Sequence, residues 1–236
     1  MVQMDINNEL VLLEPIIFHG ITIYQPTIRE ILKYGINEYN ELLIPYSVTL
    51  DMLGIDEEQI QNLKVFDIIS YEKQLFKYLL LSLQVFCKTS NIEPIYYGEI
   101  LGGIKINNNL LNRDDFDEFS DIILKIHARE KAKQDKLPEN KRQREIELTL
   151  RANRAKLKSK NEFQLCDIIN IVKYGGKYHI TTNEIKDMTL WELTNAYSCK
   201  LGVSNYEDSL SIALVCGDKD NSLDGKHWSN QLKVGK

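Results

Sequence analysis

Long apolar runs, paired cysteines and phosphate-loop glycines are all missing from this chain of 236 residues. The longest apolar stretch beyond the start, Leu79–Cys87, is interrupted by Ser82 and Gln84. It falls far short of the ~20 residues that a membrane span needs. The first twenty residues place acids ahead of their apolar part, whereas an export signal wants positive charge there and a small-residue cleavage site. A soluble protein without membrane contact is expected. The four cysteines, Cys87, Cys166, Cys199 and Cys216, show no Cys-x-x-Cys spacing. Three of them fall in amphipathic or apolar segments, so buried free thiols in a reducing compartment are expected.

Catalytic patterns are equally sparse. The four histidines, His19, His127, His179 and His227, are dispersed. Cys199 and Cys216 with His179 and His227 are the residue types of a zinc site, but their spacing gives no support for one. Gly102-Gly103 lacks the spaced pattern of a dinucleotide loop, and Gly175-Gly176-Lys177 lacks the Gly-Lys-Ser/Thr ending of a P-loop. Both pairs read as turns. No serine sits in a nucleophile elbow. The acids Asp114, Asp115, Asp117, Glu118 and Asp121 crowd a helix start, where backbone N–H groups favour negative charge. Capping and a solvated face explain them better than a carboxylate pair. No catalytic, cofactor-binding or metal-binding residue is assigned, no cofactor is expected, and a non-enzyme is the reading.

Charge is what the chain has in an uneven supply. Lys125–Lys160 holds 13 Lys/Arg against 5 Asp/Glu, within a protein of net charge −5. The part before it holds 8 basic and 19 acidic residues, and the part after it 8 and 10. A basic segment between two acidic parts reads as a contact device. Its candidate surface is Lys131, Lys133, Lys136, Lys141, Arg142, Arg144, Arg151, Arg154, Lys156, Lys158 and Lys160. A merely solvated helix, an acidic protein or a neighbouring subunit, and nucleic acid are the alternatives for it. Overall negative charge and a lack of interleaved aromatics argue against nucleic acid.

Periodicity predicts an α+β fold that is predominantly helical, with small N-terminal β elements and a compact helical C-terminal unit. Leu10–Leu13, Ile16–Phe18 and Ile21–Tyr24 read as short strands, and Thr27 with Glu30 as a capping box. A helical region near Ser47–Leu53 and a core helix over Phe66–Lys88 follow. Ile95-Tyr96-Tyr97 and Ile104–Ile106 read as a hairpin or small sheet. A helix capped by Asn112 should run into the region of Lys133. Asn161 with Gln164 and Thr189 with Glu192 cap later helices, with a further short helix over Asp208–Val215. The expected division is an α+β domain over 1–128, a basic arm or linker over 129–160, and a helical domain over 161–236. Trp191 and Trp228 are expected as core or subunit-interface residues of the last part, and so as candidate partner contacts.

Several stretches carry a resemblance. They are Ile23-Tyr24-Gln25-Pro26-Thr27-Ile28-Arg29-Glu30-Ile31 with Gly35-Ile36-Asn37-Glu38-Tyr39-Asn40, then Asp167-Ile168-Ile169-Asn170, Met188-Thr189-Leu190-Trp191-Glu192-Leu193 and Lys226-His227-Trp228-Ser229. The chain resembles the tail assembly chaperones encoded in the tail-gene cassette of long-tailed phages and prophages of Gram-positive bacteria. The likeness covers both ends of the chain, hardly touches the basic middle, and consists of capping and packing patterns. It implies a viral protein in the host cytoplasm that binds the tape-measure protein, the major tail protein or both during tail assembly, then stays out of the virion. Self-association, as a homo-oligomer, is compatible with it. The competing readings are a structural tail or virion component, and a nucleic-acid-binding or host-directed regulatory protein.

Overall fold

Thr27 precedes an apolar helical pattern, and in the computed structural model its Oγ1 accepts the Glu30 amide while the Glu30 carboxylate accepts the Thr27 amide at 2.9 Å. Two donors that a helix start leaves unpaired are thereby satisfied reciprocally. The structure describes residues 6–49, 64–98, 100–131, 164–175 and 179–216, with isolated positions between 140 and 150. Helix α1 (Asn7–Leu12) leads into a hairpin of β1 (Ile16–Phe18) and β2 (Ile21–Ile23). His19 and Gly20 both have positive φ, 47° and 82°, as a two-residue turn matched to strand twist requires. Ile16, Phe18, Ile21 and Ile23 are buried on its inner face.

Helices α2 (Ile28–Tyr34), α3 (Ile36–Glu41), α4 (Ile44–Ser47), α5 (Val65–Tyr71) and α6 (Lys73–Phe86) come next. An antiparallel sheet follows, β3 (Ile92–Tyr97), β4 (Ile100–Ile106) and β5 (Asn109–Asn112), with β4 central. Then come α7 (Phe116–Ile126), α8 (Leu165–Tyr174), α9 (Thr182–Asp187) and α10 (Leu190–Cys216). The fold is α+β and predominantly helical.

Aromatic packing organises the core. The Tyr46 ring lies within about 6 Å of Phe86, Phe116 and Phe119, centroid to centroid, and Phe116 packs on Phe66 at 5.1 Å. Offset and tilted contacts of this kind add to the burial of large apolar area. One side of the cluster is tied by charge. Arg113 donates to both carboxylate oxygens of Asp67 at 2.5 Å, the bidentate geometry that a guanidinium favours.

Several expected elements differ, each for a local reason. Leu10–Leu13 is not a strand: Leu10 closes a helical turn onto the Ile6 carbonyl, and Gln25 Nε2 donates to the carbonyls of Glu9 and Glu14. Phe66–Lys88 is two helices, because Glu72 adopts an extended conformation between them. Pro45 does not disrupt its surroundings; it stands in the first turn of α4, where its missing N–H costs nothing. That helix precedes the expected Ser47–Leu53 region, whose part beyond Thr49 lies outside the described residues. Asn112 ends β5, and Asp115 stands at the cap position of α7 without a side-chain capping bond; Asn112 Nδ2 donates to its carboxylate instead. Helix α7 stops at Ile126 and does not reach Lys133. Ala128 is left-handed (φ 51°), and the amides of Ala128 and Arg129 bond back to the Lys125 and Leu124 carbonyls, a Schellman ending. The short helices expected after Thr189 are one helix of 27 residues, about 40 Å long at 1.5 Å per residue.

The C-terminal helices pack onto the N-terminal elements. Thr27 and Thr189 form a β-bridge, the Ile28 amide donates to the Met188 carbonyl at 2.8 Å, and Arg29 pairs with Asp187 at 2.7 Å. Val172, Ile185, Trp191 and Leu193 belong to the same buried cluster as the N-terminal side chains. Most of the arm at 129–160 lies outside the described residues.

Candidate partner-binding surfaces

Helix α6 ends with an unusual residue. Cys87 is its cap, Thr89 donates back to the Gln84 carbonyl at 3.3 Å, and Lys88 between them is left-handed at φ 47°. Glycine or asparagine is the customary choice there, because a Cβ crowds the backbone. The Lys88 backbone aims its side chain across a cavity of about 320 Å³, which is lined by Tyr24, Pro26, Glu30, Tyr34, Tyr39, Gln84, Val85 and Lys88 itself. The ammonium meets Glu30 Oε1 at 3.0 Å and lies 5.2 Å from the Tyr24 ring centroid. Partial burial acts to raise the Glu30 carboxyl, but the Thr27 amide and the Lys88 ammonium outweigh it and hold it below the usual carboxylate range.

Tyr39 closes the inner wall, edge-on to Tyr34 at 6.1 Å. Its hydroxyl is committed inward, 2.6 Å from His127 Nε2, while His127 Nδ1 lies 2.6 Å from the Ile123 carbonyl. A carbonyl only accepts, so Nδ1 carries the proton and Nε2 accepts from Tyr39. Burial keeps this imidazole neutral, with its pKa lowered to about 4, and the same burial pushes the Tyr39 hydroxyl upward. The pair is a buried structural bond, and it gives the cavity neither an acid nor a base.

A second surface is the distal part of α10. Lys200 caps α8 by donating to the carbonyls of Val172 and Gly175, and beyond that point the helix leaves the core. Ile212, Leu214 and Val215 are 64%, 79% and 85% exposed. Cys199, Val203, Tyr206, Leu210 and Ala213 follow a 4-3-4-3 spacing along one side. From Ser209 to Cys216 no residue is charged. A helix that is apolar on most sides is ordinarily covered.

The expected site residues fall differently. Lys131 is folded back onto α7, 3.3 Å from Asp117 Oδ1 and 3.2 Å from Asp121 Oδ1, so the acids at the start of that helix hold it within the chain. Arg142 is exposed. Trp191 is buried at 9% exposure and packs inside the protein. Lys133, Lys136, Lys141, Arg144, Arg151, Arg154, Lys156, Lys158, Lys160 and Trp228 lie outside the described residues. Of the thiols, Cys87 is buried, Cys199 half-buried, and Cys166 and Cys216 exposed, which corrects the expectation of general burial.

The cavity escaped sequence reasoning because its walls come from two stretches far apart in the chain, Tyr24–Tyr39 and Gln84–Lys88. Nothing in the local sequence marks it, because Lys88 stands left-handed at the end of α6 where glycine is usual. Among the described residues no group of three or more His, Cys, Asp or Glu could hold a metal, and no helix is long and apolar enough to cross a membrane. The chain matches no family model, no curated protein and no solved structure.

Proposed function

We propose that this protein is a non-enzymatic assembly chaperone for long-tailed phages, binding the tape-measure protein, the major tail protein or both in the host cytoplasm. The observation that carries the reading is distal α10, a solvent-facing helix with an apolar end and a 4-3-4-3 stripe. Such a stripe is the seam that another helix fills, so an extended helical protein is the partner chemistry it suits. The family resemblance supplies the biological setting. Its two main stretches, Ile23–Ile31 and Met188–Leu193, abut at the Thr27–Thr189 bridge.

Pull-down from cells co-expressing the neighbouring genes tests this. The wild-type chain is expected to recover an extended helical structural protein without ATP or metal. The triple variant L210D/I212D/L214D should recover at least about tenfold less, as loss of interface anchors does. Its melting temperature should hardly move, because exposed side chains contribute only about 0.5 kcal/mol each. Recovery that is indifferent to the triple change would remove the apolar end of α10 as the contact. Recovery of host proteins alone would sink the assembly reading.

A further inference from the structure

We propose that the cavity beside Lys88 receives an arginine or lysine side chain from the basic segment of a second copy of this chain, and that Lys88 fills the place until it arrives. This does not depend on the tail-assembly reading. The fixed groups around the cavity favour a cation. Glu30 brings a carboxylate, Tyr24 a ring face, and α6 its C-terminal end, where the helix dipole is negative. The Lys88 ammonium marks the spot, 3.0 Å from Glu30 and 5.2 Å from the Tyr24 centroid. It is held there from a left-handed backbone, a conformation that disfavours a side chain with a Cβ.

The chain's own charge distribution supplies the occupant. The part before Lys125 is strongly acidic, whereas the segment from Lys141 to Lys160 holds Arg142, Arg144, Arg151 and Arg154 among its cations and only Glu145 and Glu147 as acids. A guanidinium is planar, so it can bond Glu30 while lying on a tyrosine face. The Lys88 ammonium is a point charge and cannot do both as well. Exchange of Lys88 for an incoming arginine therefore gains contact area without leaving Glu30 unpaired.

Two variants test this on the full chain. Lys88→Gly suits the left-handed position, so it should melt at or above the wild-type temperature while vacating the cavity. Glu30→Gln keeps a side chain that a capping box accepts and removes the charge. Sedimentation velocity across a concentration series should show weak, salt-sensitive self-association for the wild type. The glycine variant should associate about tenfold more tightly, and the glutamine variant should not associate. A labelled peptide of residues 150–160 should follow the same order in fluorescence anisotropy. The proposal is overturned if Lys88→Gly binds no more tightly than wild type, or if Glu30→Gln leaves association unchanged. Tighter peptide binding with a strictly monomeric full chain would overturn the second copy as the source.

Discussion

Tyr46→Ala is expected to lower the unfolding free energy by about 4 kcal/mol, the ordinary cost of emptying a fully buried aromatic site. Tyr46 is 0% exposed and touches three phenylalanine rings contributed by α6 and α7. Its hydroxyl lies 2.6 Å from Ser82 Oγ, and Ser82 donates its own hydrogen to the Leu79 carbonyl at 2.7 Å. Tyr46 is therefore the donor. Tyr46→Phe keeps the packing and removes only that donation, so it should cost about 1 kcal/mol. Urea unfolding separates the two. Equal losses would mean that the hydrogen bond dominates the site; a negligible loss for alanine would mean that Tyr46 is not central to the core.

Acid is expected to lower the stability of this protein through His127. In the folded chain its pKa is lowered to about 4, by burial above all; once unfolded it titrates near ~6.5. Between those values the unfolded state binds the extra proton, so stability falls as pH falls, by about 3 kcal/mol in total. Above the unfolded value the contribution is fully present. Below about 4 this group takes no more, and the salt-linked Asp67 continues the trend. Partial burial acts to raise the Asp67 carboxyl, but Arg113 outweighs it and holds the carboxyl low. His127→Gln, whose amide oxygen reaches the Nε2 position and can still accept from Tyr39, should flatten the slope between pH 6.5 and 4. A wild-type chain equally stable at both ends of that window would contradict the buried neutral imidazole.

Signals that act within a few residues were legible in the chain. Thr27 with Glu30 announced a helix start, His19-Gly20 a turn, and the Ile104–Ile106 run a strand. Helix ends were harder. Ala128 and Lys88 both end helices in left-handed conformations although neither is glycine, so composition gave no warning and α7 was expected to continue. Distal α10 misled for the opposite reason: Asp208–Val215 was expected as a separate short helix, yet one helix runs unbroken from Leu190 to Cys216. The candidate surfaces were the least visible. Trp191 was expected as a core or subunit-interface residue, and it is buried in the same cluster as Ile185 and Leu193. The cavity combines residues from Tyr24 to Lys88, and only tertiary packing brings them together.

Counting this protein in tail intermediates and in finished tails tests the central claim most directly. Quantitative mass spectrometry of both fractions, each normalised to the major tail protein, supplies the comparison. Assembly intermediates should contain the chain together with the tape-measure protein, and purified tails should contain almost none. Stoichiometric amounts in the purified tails would contradict the chaperone account and make this protein a structural component.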